Sequence, residues 1–158
     1  MVEHEHTIRL LEDMGLQTAA NLLHAKLDEA SRSEGMTFLG FLHSLLEEEN
    51  AARKRRSEET RLRLSRLPAR KTLDEFDFDF QPSIDKAQIN ELATLVFAER
   101  NNNILFLGPP GVGKTHLAIG LALKAIENGM TVYFTTLSHM MQDLQKARLH
   151  NRLDKRWK

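Results

Sequence analysis

The sequence predicts an incomplete α/β domain built on a parallel β-sheet, preceded by a small all-α domain. Apolar residues recur at helical spacing between residues 5 and 66, which predicts helices joined by short turns. Two short apolar runs, 104–107 and 130–135, are typical of strands that are buried on both faces. A helical pattern separates these runs, and the order strand, helix, strand indicates the opening of a parallel sheet.

Hydroxyl side chains mark where several predicted helices begin. A serine or threonine at the N-cap position accepts a hydrogen bond from a backbone N–H of the first turn. The candidate caps are Thr37, Ser83, and either Thr136 or Ser138. We expect the helix after Ser83 to run over about 84–99.

A linker separates the helical region from the predicted sheet. Pro68 ends the helices, because proline restricts the residue before it and has no N–H for the helical ladder. Phe76, Phe78 and Phe80 then alternate with aspartates, which indicates an extended segment that lays its rings against a neighbouring surface. We therefore predict a helical domain over 1–67, a linker over 68–82 and the front part of the α/β domain over 83–158.

A glycine-rich loop between the first predicted strand and the next helix matches the phosphate-binding pattern G-x-x-x-x-G-K-[ST]. Glycines let the backbone turn its N–H groups toward phosphate oxygens, and the positive end of the helix dipole adds to that cradle. The lysine of the motif reaches the β- and γ-phosphates, and the hydroxyl of Thr115 is suited to Mg²⁺. We expect ATP and Mg²⁺ to be held by Gly108, Pro109, Pro110, Gly111, Val112, Gly113, Lys114, Thr115 and His116, with Thr115 as the metal ligand.

Hydrolysis of ATP is not predicted by the same residues. A P-loop ATPase also needs a carboxylate at the end of another strand to hold Mg²⁺ and orient water. The acidic residues after Thr115 are Glu127, Asp143 and Asp154, and none of them ends an apolar run. No catalytic residue is therefore assigned. Because only two strands are predicted, we expect the front part of a longer protein; a complete minimal domain is the alternative.

Charge is strongly segregated although the net charge is +0. Acidic residues dominate 1–50 and basic residues dominate 51–71, a distribution that favours a nucleic-acid partner. The alternative is a solvated helix face on which the arginines pair with neighbouring glutamates. The candidate DNA contacts are Arg53, Lys54, Arg55, Arg56, Arg61 and Arg63.

Composition and hydropathy bear on the cellular compartment of the protein. The chain has no cysteine, which fits a reducing cytosol. No apolar run approaches the ~20 residues that cross a bilayer, and the polar N-terminus is unlike a signal peptide. We therefore expect a cytoplasmic protein with no membrane partner.

Three stretches of this sequence resemble the IstB-like ATP-binding proteins, helper proteins of bacterial insertion sequences that are related to DnaC-type helicase loaders. The stretches are LLEEEN at 45–50 with the basic run 53–56, LPARKTLDEFDFDF at 67–80, and NILFLGPPGVGKTHLA at 103–118. The resemblance covers nearly the whole length. The linker phrase is the specific part, since many ATPases share the glycine-rich loop.

The resemblance implies a P-loop NTPase module of the AAA+ class after the helical domain, with ATP-dependent self-assembly on DNA. It also implies a role as an ATP-binding helper of DNA transposition that assists a transposase at target DNA. The expected partners are DNA, a transposase and, for the full-length protein, further copies of itself. Two alternatives remain open: a DnaC-like replicative helicase loader, and a truncated remnant that binds ATP or DNA without turnover.

Overall fold

The computed structural model describes residues 2–150, and this part of the chain forms α-helices joined by turns and irregular segments. The helices are α1 (Val2–Asp13), α2 (Gln17–Arg32), α3 (Phe38–Ser65), α4 (Lys86–Ala93), α5 (Val96–Glu99), α6 (Lys114–Glu127) and α7 (Leu137–Leu149). None of them is long and apolar enough to span a bilayer. The chain divides into two compact units, Met1–Glu59 and Thr60–Lys158, so that α3 runs from the first unit into the second.

The first unit is a helical cluster held by a small apolar core. Ala19, Leu23 and Leu45 are buried, and partly buried residues of α1, α2 and α3 surround them. Burial of these side chains stabilises the unit because it removes apolar surface from water. The N-terminus of α2 receives a carboxylate from α3: Glu49 Oε2 accepts the backbone N–H groups of Thr18 at 2.7 Å and Ala19 at 2.9 Å.

The second unit is organised around α6. Leu117 and Leu121 of this helix are buried together with Leu73, Phe76 and Ile89. Leu73 and Phe76 belong to the linker segment, which therefore forms part of the core. The linker's third phenylalanine, Phe80, is 73% exposed.

The predicted parallel-sheet α/β core is wrong for the residues that the structure describes, because no segment within 2–150 is a β-strand. The apolar runs at 104–107 and 130–135 are irregular, and no backbone hydrogen bond joins them. Ile104 and Phe106 pack against the core, whereas Leu105 and Leu107 are 82% and 88% exposed. An apolar run indicates burial but does not supply the hydrogen-bonded neighbour that makes it a strand.

Helix ends agree with the sequence in two places and differ in a third. Thr37 Oγ1 accepts the N–H of Gly40 at 3.0 Å and Thr136 Oγ1 accepts that of His139 at 3.2 Å, so both predicted caps are confirmed. The single helix predicted after Ser83 is wrong. Asp85 is the cap, since its carboxylate accepts the N–H groups at the start of α4. Leu95 then adopts a left-handed backbone, φ +65°, which separates α4 from α5.

Candidate nucleotide-binding site

The glycine-rich loop lies immediately before α6, and its backbone adopts positive φ angles that favour glycine. Gly108, Gly111 and Gly113 have φ angles of +154°, +86° and +89°. L-residues with a side chain rarely adopt such angles, whereas glycine adopts them at little cost. Gly113 is also the N-cap of α6, so the last left-handed turn of the loop leads directly into the helix.

Backbone donors are concentrated where this loop meets α6. The first four N–H groups of any helix have no intrahelical acceptor. Within residues 2–150, the N–H groups of 111–116 donate no hydrogen bond to the protein. This row of N–H groups at the positive end of α6 suits a phosphate chain, whose oxygens accept hydrogen bonds and carry negative charge.

Lys114 adds a cation to the loop. Its Nζ donates to the carbonyl oxygens of Gly108 at 2.8 Å and Pro109 at 2.5 Å, so the ammonium group lies over the loop itself. Thr115, the predicted magnesium ligand, is exposed beside it. In the described part of the chain, no group of three or more His, Asp or Glu residues could hold a metal ion.

A cavity of about 490 Å³ adjoins the loop. Gly108, Pro109 and Lys114 form one side of it, and apolar residues that include Ile89 and Leu92 form another. Its volume falls in the range of small-molecule sites, which combine apolar walls with a few polar groups. The glycine-rich loop is thus adjacent to a cavity of small-molecule size.

His116 has a different environment from the one expected of a nucleotide ligand. Its Nε2 lies 2.8 Å from the carbonyl oxygen of Thr72, and its ring meets the ring of Phe76 edge to face at 5.2 Å. A carbonyl oxygen only accepts, so Nε2 carries the hydrogen. These contacts connect α6 to the linker. The alternation of phenylalanines in the linker indicated docking, but it did not identify the loop as the surface that receives Phe76.

The predicted DNA contacts fall into three groups. Arg53, Lys54 and Arg55 are exposed on α3 within the first unit. Arg61 and Arg63 lie beyond the unit boundary, so the structure does not gather all six side chains in one unit. Arg56 is engaged within the first unit, where it donates to Glu49 Oε1 at 2.8 Å and to Thr18 Oγ1 at 3.0 Å.

Glu49 is the residue at the centre of those Arg56 contacts, and it is 3% exposed. Burial raises the pKa of the Glu49 carboxyl, but hydrogen bonds from Ala19, Arg56 and Thr18 and the charge of Arg56 outweigh burial and lower the pKa overall. At neutral pH the Glu49 carboxylate is therefore ionised, and both of its oxygens accept hydrogen bonds. The alternative in which arginines pair with neighbouring glutamates thus describes Arg56, whose partner Glu49 lies two helical turns away on α3.

Comparison with known proteins places the sequence among insertion-sequence proteins. Residues 9–158 match the family model of IstB-like ATP binding proteins. The chain is 42% identical over 146 residues to a Pseudomonas aeruginosa protein of insertion sequence IS21 that is named for ATP binding; the match covers 92% of this chain and 55% of that protein. It is 44% identical over 154 residues to the corresponding Geobacillus stearothermophilus protein of IS5376, covering 97% and 59%.

A third relative, from insertion sequence IS232 of Bacillus thuringiensis subsp. berliner, is 38% identical over 148 residues, covering 94% of this chain and 59% of the relative. The chain thus spans a little more than half the length of these relatives. The family match includes the entire glycine-rich loop and the linker that packs beside it. This chain belongs to the family of IstB-like ATP-binding proteins.

Proposed function

We propose that this chain binds ATP with Mg²⁺ at Gly108–Thr115 and acts as an ATP-binding helper of DNA transposition. One observation supports ATP binding above the others. Three left-handed glycines and the first turn of α6 leave the N–H groups of 111–116 available, with the Lys114 ammonium group beside them. That arrangement suits a triphosphate because it offers several donors and a positive charge at one place.

In the proposed complex, the backbone N–H groups hold the phosphates and Lys114 exchanges its two carbonyl acceptors for phosphate oxygens. The Thr115 hydroxyl holds Mg²⁺ together with phosphate oxygens and water. Bound Mg²⁺ would neutralise part of the phosphate charge. The relatives' names refer to ATP binding and to insertion sequences, and these names support the same role for this chain.

Titration of the purified chain with ATP and Mg²⁺ tests the binding site. Lys114→Ala removes a charge-assisted contact, so we expect the affinity to fall at least about tenfold. Lys124→Ala is the matched control, because Lys124 lies on the same helix and pairs with Glu127 at 3.0 Å. Equal affinities for Lys114→Ala and the unsubstituted chain would contradict the assignment.

DNA is the proposed partner of the exposed basic residues of α3, at a target site where a transposase acts. Arg53, Lys54 and Arg55 are exposed, and no salt bridge within residues 2–150 engages them. Their contacts with DNA phosphates would be independent of sequence and would weaken as salt rises. Replacing all three with alanine should reduce both the affinity for duplex DNA and the slope of affinity against salt. An unchanged slope would remove these residues from the interface.

A further inference from the structure

The linker packs against one face of α6 through two glycines. Gly113 and Gly120 are seven residues apart, about two helical turns, and therefore face the same side. A Cβ atom at Gly113 would overlap the ring of Phe76, and one at Gly120 would overlap the side chain of Leu73. The absence of both Cβ atoms lets the linker approach the helix closely. Leu73 and Phe76 are each 8% exposed as a result.

The Phe76 ring contacts the phosphate-binding loop at a particularly restricted position. Gly113 has φ +89°, is the N-cap of α6 and supplies one of the N–H groups that donate no hydrogen bond within residues 2–150. A ring packed directly on this residue limits the alternatives open to its backbone, because any large change of φ at Gly113 would move the chain into or away from the ring. The ring therefore restrains the turn that aims the N–H groups of 111–116.

Two further contacts hold the Phe76 ring in place. His116 meets it edge to face and also donates to the Thr72 carbonyl, so the first turn of α6 is tied to both ends of the linker turn. Phe78 also meets it edge to face, at a centroid distance of 4.8 Å. Lys86 Nζ lies 5.4 Å from the centre of the Phe78 ring, which connects this cluster to the start of α4.

We propose that Phe76 is a positioning residue for the phosphate-binding loop, holding Gly113 in its left-handed turn so that the N–H groups of 111–116 converge on the phosphates of a nucleotide. His116 belongs to the same device and acts through Phe76 and Thr72. The proposal deepens the proposed ATP-binding function and rests on it. The linker would then contribute to nucleotide binding as well as connecting two parts of the chain.

Backbone 15N relaxation of the chain without nucleotide tests the restraint directly, because order parameters report the rigidity of amides whether or not they are hydrogen-bonded. Phe76→Ala should lower the order parameters of amides 111–113 clearly more than those of the buried helical amides at 119–123. Phe80→Ala is the matched control, because Phe80 lies four residues along the same segment and is 73% exposed. Phe76→Leu keeps a large apolar side chain and should give an intermediate result, and it serves as the test variant if Phe76→Ala does not fold.

The affinity for phosphate ligands provides a second test. If Phe76→Ala misplaces the loop, the affinities for ATP and for inorganic tripolyphosphate should both fall by about tenfold, because both ligands depend on the phosphate-binding loop. Order parameters that fall equally across α6, or remain unchanged at 111–113, would overturn the positioning role. Failure of the unsubstituted chain to bind ATP would instead overturn the proposed function, while the relaxation comparison would still decide whether Phe76 restrains the loop.

Discussion

Gly120→Ala should destabilise this chain, although alanine is ordinarily the better helix residue. Within a helix, replacing glycine with alanine stabilises by about 0.5–1 kcal/mol. Here the new Cβ would overlap the Leu73 side chain, which is only 8% exposed and has little room to move. Overpacking of a core typically costs about 1–3 kcal/mol, so the expected net effect is a loss of up to about 2 kcal/mol.

The same substitution should change sign once Leu73 is shortened. Leu73→Ala alone should cost about 2–5 kcal/mol, since it removes buried methyl groups from the core. In that background Gly120→Ala no longer meets the Leu73 methyl groups. The Leu73 backbone nitrogen remains 3.2 Å from the new Cβ, which limits the gain to about 0.5 kcal/mol.

Urea denaturation of the four proteins, followed by circular dichroism, measures this reversal as a double-mutant cycle. We expect a coupling energy of about 1–3 kcal/mol between the two positions. Additive effects, with Gly120→Ala equally unfavourable in both backgrounds, would show that Leu73 does not pack on Gly120 and would refute the close approach of the linker to α6.

Two further predictions concern the contacts within the first unit. Glu49 has a lowered pKa in the folded chain, so its contribution to stability is present above its ordinary value of 4.5 and is lost as the pH falls through the lower folded value. Glu49→Gln should therefore cost about 1–2 kcal/mol at pH 7, and the difference from the unsubstituted chain should shrink in denaturation experiments below pH 4.5. Arg56→Ala should lower stability by about 1 kcal/mol, whereas Arg53→Ala should leave it within about 0.5 kcal/mol. Thermal melting measures both, and equal melting temperatures for the two variants would contradict the structural role of Arg56.

Local sequence signals were reliable where the interaction they describe is local. Thr37 and Thr136 act as caps because a hydroxyl reaches an N–H three residues away whatever the rest of the chain does. The loop glycines were predictable for a similar reason, since a left-handed turn before a helix demands residues without a side chain. Both glycines that the motif fixes, Gly108 and Gly113, have positive φ angles.

Interactions between distant segments were not predictable from the same signals. The runs at 104–107 and 130–135 are apolar enough for strands, yet a strand exists only where a neighbour pairs with it, and no pairing joins them within 2–150. The role of Phe76 likewise depends on its contact with Gly113, which lies far along the chain. Composition alone assigns a phenylalanine to a core, and it does not identify the partner of that phenylalanine.

The most direct test of the central claim is hydrogen exchange of the unsubstituted chain with and without ATP and Mg²⁺. If the glycine-rich loop holds the triphosphate, ATP should slow exchange at amides 111–116, which donate no hydrogen bond within the described residues. The protection should be absent in Lys114→Ala and retained in Lys124→Ala. Binding of ATP with no slowing at 111–116, or with the same slowing in Lys114→Ala, would contradict the assignment of this loop as the nucleotide site.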